Sequence, residues 1–97
     1  MNQYLEYKNN NNSLIKINPN AIKQAIKLSA LPLDNYEIKT VDVVVSKVLW
    51  NCNVFVTIKF KNITNFEKEL KHAFRRIDEQ VELVIGTKAE NISLNII

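Results

Sequence analysis

The chain has one histidine, His72, and one cysteine, Cys52, and these are the natural starting points for any acid–base or nucleophilic chemistry. Such chemistry needs a base, a nucleophile and an orienting group converging on one point. No Ser/His/Asp or Cys/His set with assignable roles is present. His72 falls on the polar side of a helical pattern, so its ordinary reading is an exposed, non-catalytic side chain, with a proton switch or a ligand role as the alternative. Cys52 shares the inward parity of Val54 and Val56, which makes a buried, inert thiol the ordinary reading over a reactive one. Nothing resembles CxxC or HxxxH, and one Cys with one His would need several carboxylates to complete a zinc site. With Gly86 the only glycine, phosphate-cradling glycine loops are excluded. No catalytic residue, cofactor or metal ligand is expected, and the chain does not read as an enzyme.

What remains is binding. Lys68, Lys71, His72, Arg75 and Arg76 cluster on the solvent side of one helix within ~12 Å along its axis and include both arginines of the chain. They form a candidate face for an anionic partner such as RNA, phospholipid headgroups or an acidic protein segment. The plainer reading is a solvated face, with Glu67 pairing with Lys71 at i+4 and Glu79 within reach of Arg75 and Arg76. Val44 and Phe55 have outward parity on neighbouring strands, a candidate protein-contact surface on the sheet face that helices leave uncovered. Trp50, beside the turn between those strands, is either a lid on the core or an exposed anchor, and the core is favoured.

The elements that position these residues follow from periodicity. Asn9, Asn10, Asn11, Asn12 and Ser13 compete with the backbone for hydrogen bonds and mark a loop; before them, Tyr4, Leu5 and Tyr7 either add a short strand or fray. Leu14, Ile15 and Ile17 are strand-prone. Asn18 and Pro19 then supply an N-cap and a proline at the first helical position. Ile22, Ala25, Ile26 and Ala30 share one face of a helix that Pro32 stops. From Glu37 the period becomes two: Val41, Val43 and Val45 alternate with Asp42 and Val44, and Cys52, Val54, Val56, Ile58 and Phe60 alternate with Asn53, Phe55, Thr57 and Lys59 after a connection within residues 46–51.

Thr64 and Glu67 have the spacing of a capping box and predict a helix from Asn65. Phe66, Leu70, Ala73, Phe74, Ile77, Val81, Val84 and Ile85 fall on an arc of roughly 120°, a face laid on a core. Gly86 suits the left-handed backbone that follows a helix C-terminus. Ile92, Leu94 and Ile96 alternate with Asn91, Ser93 and Asn95 in a final half-buried strand. The order β-α-β-β-α-β predicts an α+β fold, a small, mostly antiparallel sheet with two helices packed on one face. Residues 1–13 read as an N-terminal segment with an Asn-rich loop, and residues 14–97 as one domain.

At 97 residues the chain can bury roughly 65% of its unfolded surface in one core but cannot build two. Thirteen basic against ten acidic residues leave a net charge of +3, too mild to bind nucleic acid by charge alone. Fourteen Asn, twelve Ile and eleven Lys against two Arg are what AT-rich bacterial codons would supply. No apolar run reaches the ~18–20 residues of a membrane span, and neither a signal pattern nor a cysteine pair points to an oxidising compartment, so a cytoplasmic protein is expected.

Order and punctuation together resemble the alkaline shock protein family, small bacterial proteins with cell-envelope-related roles. The likeness spans residues 14–97. It rests on Ile17-Asn18-Pro19-Asn20-Ala21-Ile22 leading into the first helix, on Phe60-Lys61-Asn62-Ile63-Thr64 between hairpin and long helix, and on Ile85-Gly86 ahead of Ile92-Ser93-Leu94. The chain departs from the family in lacking a Gly-Val pair near residues 31–36 and a glycine at the hairpin end, where Asn62 would stand in. The resemblance implies a non-enzymatic interaction or scaffold protein with a cell-envelope or stress-related role. Its expected partner is a protein, a second copy of the chain among the candidates; strong nucleic-acid binding is not expected, and membrane contact would be indirect, through that partner. An RNA- or ribosome-associated accessory protein using the basic helix face is the alternative, although the GXXG loop and aromatic strand motifs of common RNA-binding modules are missing.

Overall fold

Strand alternation and two capped amphipathic segments dictate the architecture of the computed structural model, which describes residues 5–8, 14–30, 35–46, 51–61 and 64–97. The elements are β1 (Leu5–Lys8), β2 (Leu14–Ile17), α1 (Pro19–Ser29), β3 (Tyr36–Ser46), β4 (Asn51–Phe60), α2 (Phe66–Ile85) and β5 (Asn91–Ile96). From β2 onward the order is the expected β-α-β-β-α-β, and the fold is α+β. The Asn-rich loop, Pro32, Trp50 and Asn62 lie outside the described residues.

β4 is the centre of a three-stranded sheet of order β3-β4-β5. β3 pairs with it antiparallel, Val41 opposite Val56 and Val45 opposite Cys52, while β5 runs parallel to it, Val54 opposite Ile92 and Ile58 opposite Ile96. The parallel ladder is a consequence of α2, which returns the chain to the end at which β4 began. β2 does not join this sheet. It pairs antiparallel with β1, Leu5 opposite Ile17, so the N-terminal segment does add a strand, in a separate two-stranded ladder.

Period-two alternation holds along all of β4, where Cys52, Val54, Val56, Ile58 and Phe60 are buried. In β3 it breaks once. Between Ile38 and Thr40 the register slips by one residue, a bulge at Lys39, so the inward set changes from Tyr36 and Ile38 to Val41, Val43 and Val45. Lys39 ion-pairs with Glu37 at 2.6 Å across this irregularity. Tyr36, Phe60 and Phe66 form a chain of ring contacts, with centroids 6.0 Å and then 5.2 Å apart, that joins both hairpin strands to the start of α2.

Both helices bury their apolar stripes in the same cluster as the inner sheet face. α1 contributes Ile22 and Ile26, and also Ser29, whose hydroxyl makes its burial tolerable by donating to the Ile26 carbonyl at 2.6 Å. α2 contributes Ala73, Ile77, Val81 and Ile85 at i, i+4, i+8 and i+12. Phe66, Leu70 and Val84 are half-buried at the rim. Phe74, expected on the core face, is 40% exposed, because the buried stripe advances in steps of four and spirals about the helix, and at the level of Phe74 it is Ala73, about 100° round, that faces the core.

The caps refine the sequence reading. Asn18 caps α1 as expected, its side chain accepting from the Asn20 amide at 2.9 Å. For α2 the cap is Asn65 rather than Thr64: Asn65 Oδ1 accepts from the Lys68 amide at 3.2 Å, which puts Lys68 at the third helical position and leaves no capping box with Glu67. Gly86 closes the helix at φ 79°, its amide donating to the Glu82 carbonyl at 2.9 Å. Asn65→Ala should therefore lower the unfolding free energy by about 0.5–2 kcal/mol, whereas Thr64→Ala should change it by less than about 0.5 kcal/mol. Urea denaturation of the two variants beside the parent chain measures the difference, and the reverse ranking would restore the Thr64 cap.

Candidate functional site

The fold brings the basic residues together on the first half of α2, because positions 68, 71, 72 and 75 are spaced at i, i+3, i+4 and i+7. Lys68, Lys71, His72 and Arg75 line one shallow concavity of about 430 Å³, with Asn65 and Glu67 at its N-terminal end. Arg76 is half-buried and lies outside it. Lys71 pairs with Glu67 at 3.0 Å as its i+4 spacing predicts, and with both side chains more than 70% exposed the pair is worth only about 0.3–0.5 kcal/mol. The expected pairing of Arg75 with Glu79 does not form, and among the described residues Lys68, His72 and Arg75 have no ion-pair partner. The cationic character of this face is less compensated than the sequence suggests.

Val44 and Phe55 are where parity places them, on the sheet face away from the helices, and are 54% and 43% exposed. They are diagonal neighbours across β3 and β4, since Val44 stands opposite Asn53 and Phe55 opposite Asp42. Ser93 flanks Phe55 from β5. An aromatic ring on the central strand is thus framed by polar residues on both sides.

Cys52 is completely buried. Burial, with a smaller contribution from the Glu90 carboxylate, pushes its thiol above the ordinary range, so the nucleophilic thiolate is disfavoured. Beside it, Asn51 ties the end of the chain to β4: its Nδ2 donates to the Lys88 carbonyl at 3.0 Å and its Oδ1 accepts from the Glu90 amide at 3.1 Å. Lys88 in turn pairs with Asp78 at 3.0 Å and Glu82 at 3.5 Å, latching the segment after Gly86 onto α2. Nothing in the sequence marks Asn51 or Lys88, because both act through partners remote in the chain.

A further surface escaped the sequence reading. Leu70 and Phe74 of α2 and Ile92, Leu94 and Ile96 of β5 line an apolar groove of about 640 Å³, rimmed by Lys71, Arg75 and Asp78. The period alone did not mark it, since Phe74 falls inside the apolar arc, between Val81 and Ile85.

No group of three or more His, Cys, Asp and Glu able to hold a metal occurs among the described residues. No described helix is long and apolar enough to cross a membrane. These features define an α+β domain whose candidate sites are surfaces, one cationic, one on the open sheet face and one a groove. No family model, curated protein or solved structure matches the chain.

Because the folded thiol is pushed up, Cys52 contributes stability that is full below the ordinary thiol range near pH 8.5 and is lost as pH rises through the folded value. The melting temperature should fall more steeply above about pH 8.5 in the parent chain than in Cys52→Val. At pH 8 a maleimide should label the folded chain at least about tenfold more slowly than the denatured one. Equal labelling rates would show an accessible, reactive thiol.

Proposed function

We propose that the chain is a non-enzymatic interaction or scaffold protein of the alkaline shock type, acting in the cytoplasm through protein partners and reaching the cell envelope or a stress response only by way of them. The supporting observation is Phe55, 43% exposed at the middle of the central strand on the face that neither helix covers. Burying that ring and the diagonal Val44 against a partner would remove apolar area from water at about 25 cal/mol per Å². The polar frame of Asp42, Asn53 and Ser93 resembles the rim that surrounds an interface anchor. Phe55→Glu should leave the thermal melt within a few degrees of the parent while abolishing capture of the partner from a lysate of the native cells. If the two baits recover the same proteins, this face is not the contact surface.

A second reading is favoured by the uncompensated cations. Lys68 and Arg75 share one concavity with His72 and have no ion-pair partner among the described residues, an arrangement that suits an RNA backbone. Its strength is bounded by the small number of contacts. Lys68, Lys71, Arg75 and Arg76 offer at most four phosphate contacts, each adding about −0.7 to the salt slope on single-stranded RNA, so binding no tighter than about 10⁻⁴–10⁻⁶ M at physiological salt is expected. A polarisation titration with RNA tests this. Submicromolar binding that survives physiological salt and disappears in a Lys71→Glu, Arg75→Glu double variant would replace the scaffold reading with a nucleic-acid-binding one.

A further inference from the structure

The two edges of the sheet are built differently. β3 carries the devices that keep an edge from pairing, a bulge at Lys39 with an ion pair across it and a charge at Asp42. β5, with the sequence Asn-Ile-Ser-Leu-Asn-Ile, has no charge, no proline and no bulge, and among the described residues nothing pairs with its outer side. Its side chains complete the anomaly. Ile92 and Leu94 are only half-buried and Ile96 is 39% exposed, although all three point to the inner face, where Phe74 is also 40% exposed.

We propose that β5 and the groove beside it form a two-fold interface with a second copy of this chain, β5 pairing antiparallel with its counterpart and Leu94 on the axis. The phase of the backbone carries the assignment. The Ile97 amide donates to the Ile58 carbonyl at 3.0 Å, and Ile58 stands opposite Ile96. In a ladder of that phase the odd-numbered residues of β5 turn their amides and carbonyls toward β4, and Ile92, Leu94 and Ile96 turn theirs outward. Antiparallel pairing centred on Leu94 sets Ile92 opposite Ile96 of the other copy and Leu94 opposite itself. Every outward amide and carbonyl then meets its complement, and the two three-stranded sheets become one of six strands.

The same axis joins the two grooves. The inward Ile92, Leu94 and Ile96 rows become continuous, and the Phe74 rings approach each other across the seam between two antiparallel α2 helices. Charge follows the same symmetry. Lys71 lies about one turn N-terminal to Phe74 and Asp78 about one turn C-terminal to it, so antiparallel helices bring Lys71 of one copy toward the Asp78 carboxylate of the other. A foreign strand could use the open edge, but neither the self-pairing register nor the reversed order of rim charges would serve it.

This interface uses a different surface from the Phe55 face, so its fate and that of the scaffold reading separate in one set of measurements. Sedimentation velocity on the full chain at rising concentration should show a dimer. Phe74→Glu, at a position exposed enough to accept charge, should weaken the dimer at least about tenfold without loss of the cooperative melt, while Phe55→Glu should leave it unchanged. Register is read by cross-linking. Only a residue on the axis faces itself, so Leu94→Cys should oxidise to a covalent dimer and Ser93→Cys, on the other face and off the axis, should not. A chain that stays monomeric at submillimolar concentration overturns the proposal. So does a dimer that Phe74→Glu leaves intact or that cross-links through position 93, and so does β5 engaging a foreign protein while the chain itself stays monomeric.

Discussion

The structure depends on the burial of a single strand. Among the described residues β4 is the only strand hydrogen-bonded on both sides, and its inward row from Cys52 to Phe60 is 8% exposed or less throughout. That row is the floor on which Ile22 and Ile26 of α1 and the Ala73, Ile77, Val81 and Ile85 stripe of α2 are laid. A parallel neighbour on one side and an antiparallel one on the other are both consequences of what can reach β4, a tight hairpin for β3 and a helical crossover for β5. Asn51, at the head of the strand, fastens the end of that crossover, since its amide side chain bonds the backbone of both Lys88 and Glu90.

Burial is unevenly shared around this floor. On the β3 side, α1 and the Tyr36–Phe60–Phe66 ring chain close the core. On the β5 side the cover is a single helix, and α2 lies so that its small buried residue, Ala73, faces the core while Phe74 faces outward. The groove is the geometric remainder of two helices covering three strands. It also places two candidate uses of α2 side by side, because Lys71 and Arg75 belong both to the cationic concavity and to the rim of the groove. Occupation of the groove by a second copy would draw on the same cations that an RNA backbone would use, so the two forms of binding would compete.

Features that arise within a few residues were legible beforehand. The Asn18-Pro19 start of α1, the Gly86 stop of α2, the inward parity of Cys52 and the outward parity of Phe55 depend only on local backbone geometry and side-chain period. Where two local solutions competed, the reading fell on the neighbour: Asn65 took the cap that Thr64 also fitted, since either side chain can accept from an amide of the first helical turn. The pairing of Lys71 with Glu67 was legible for the same reason, whereas Arg75 and Glu79, equally well spaced, extend without meeting, because an exposed i+4 pair gains too little to hold two long side chains together.

By itself the sequence determined the order of elements, most of the residues that face inward and the presence of a single histidine and a single cysteine, because these depend on residue type and on periods of 2 and 3.6. It could not determine which strand lies beside which. The placement of β2 with β1 instead of in the main sheet, the parallel seat of β5, the bulge at Lys39 and the latch from Lys88 to Asp78 are contests between partners distant in the chain, decided by which arrangement buries β4 best. The exposure of Phe74 and Ile96 belongs to the same class. An apolar side chain with inward parity is buried only if something lies above it, and what lies above β5 is settled by the packing of two helices, of which a period in the sequence carries no trace.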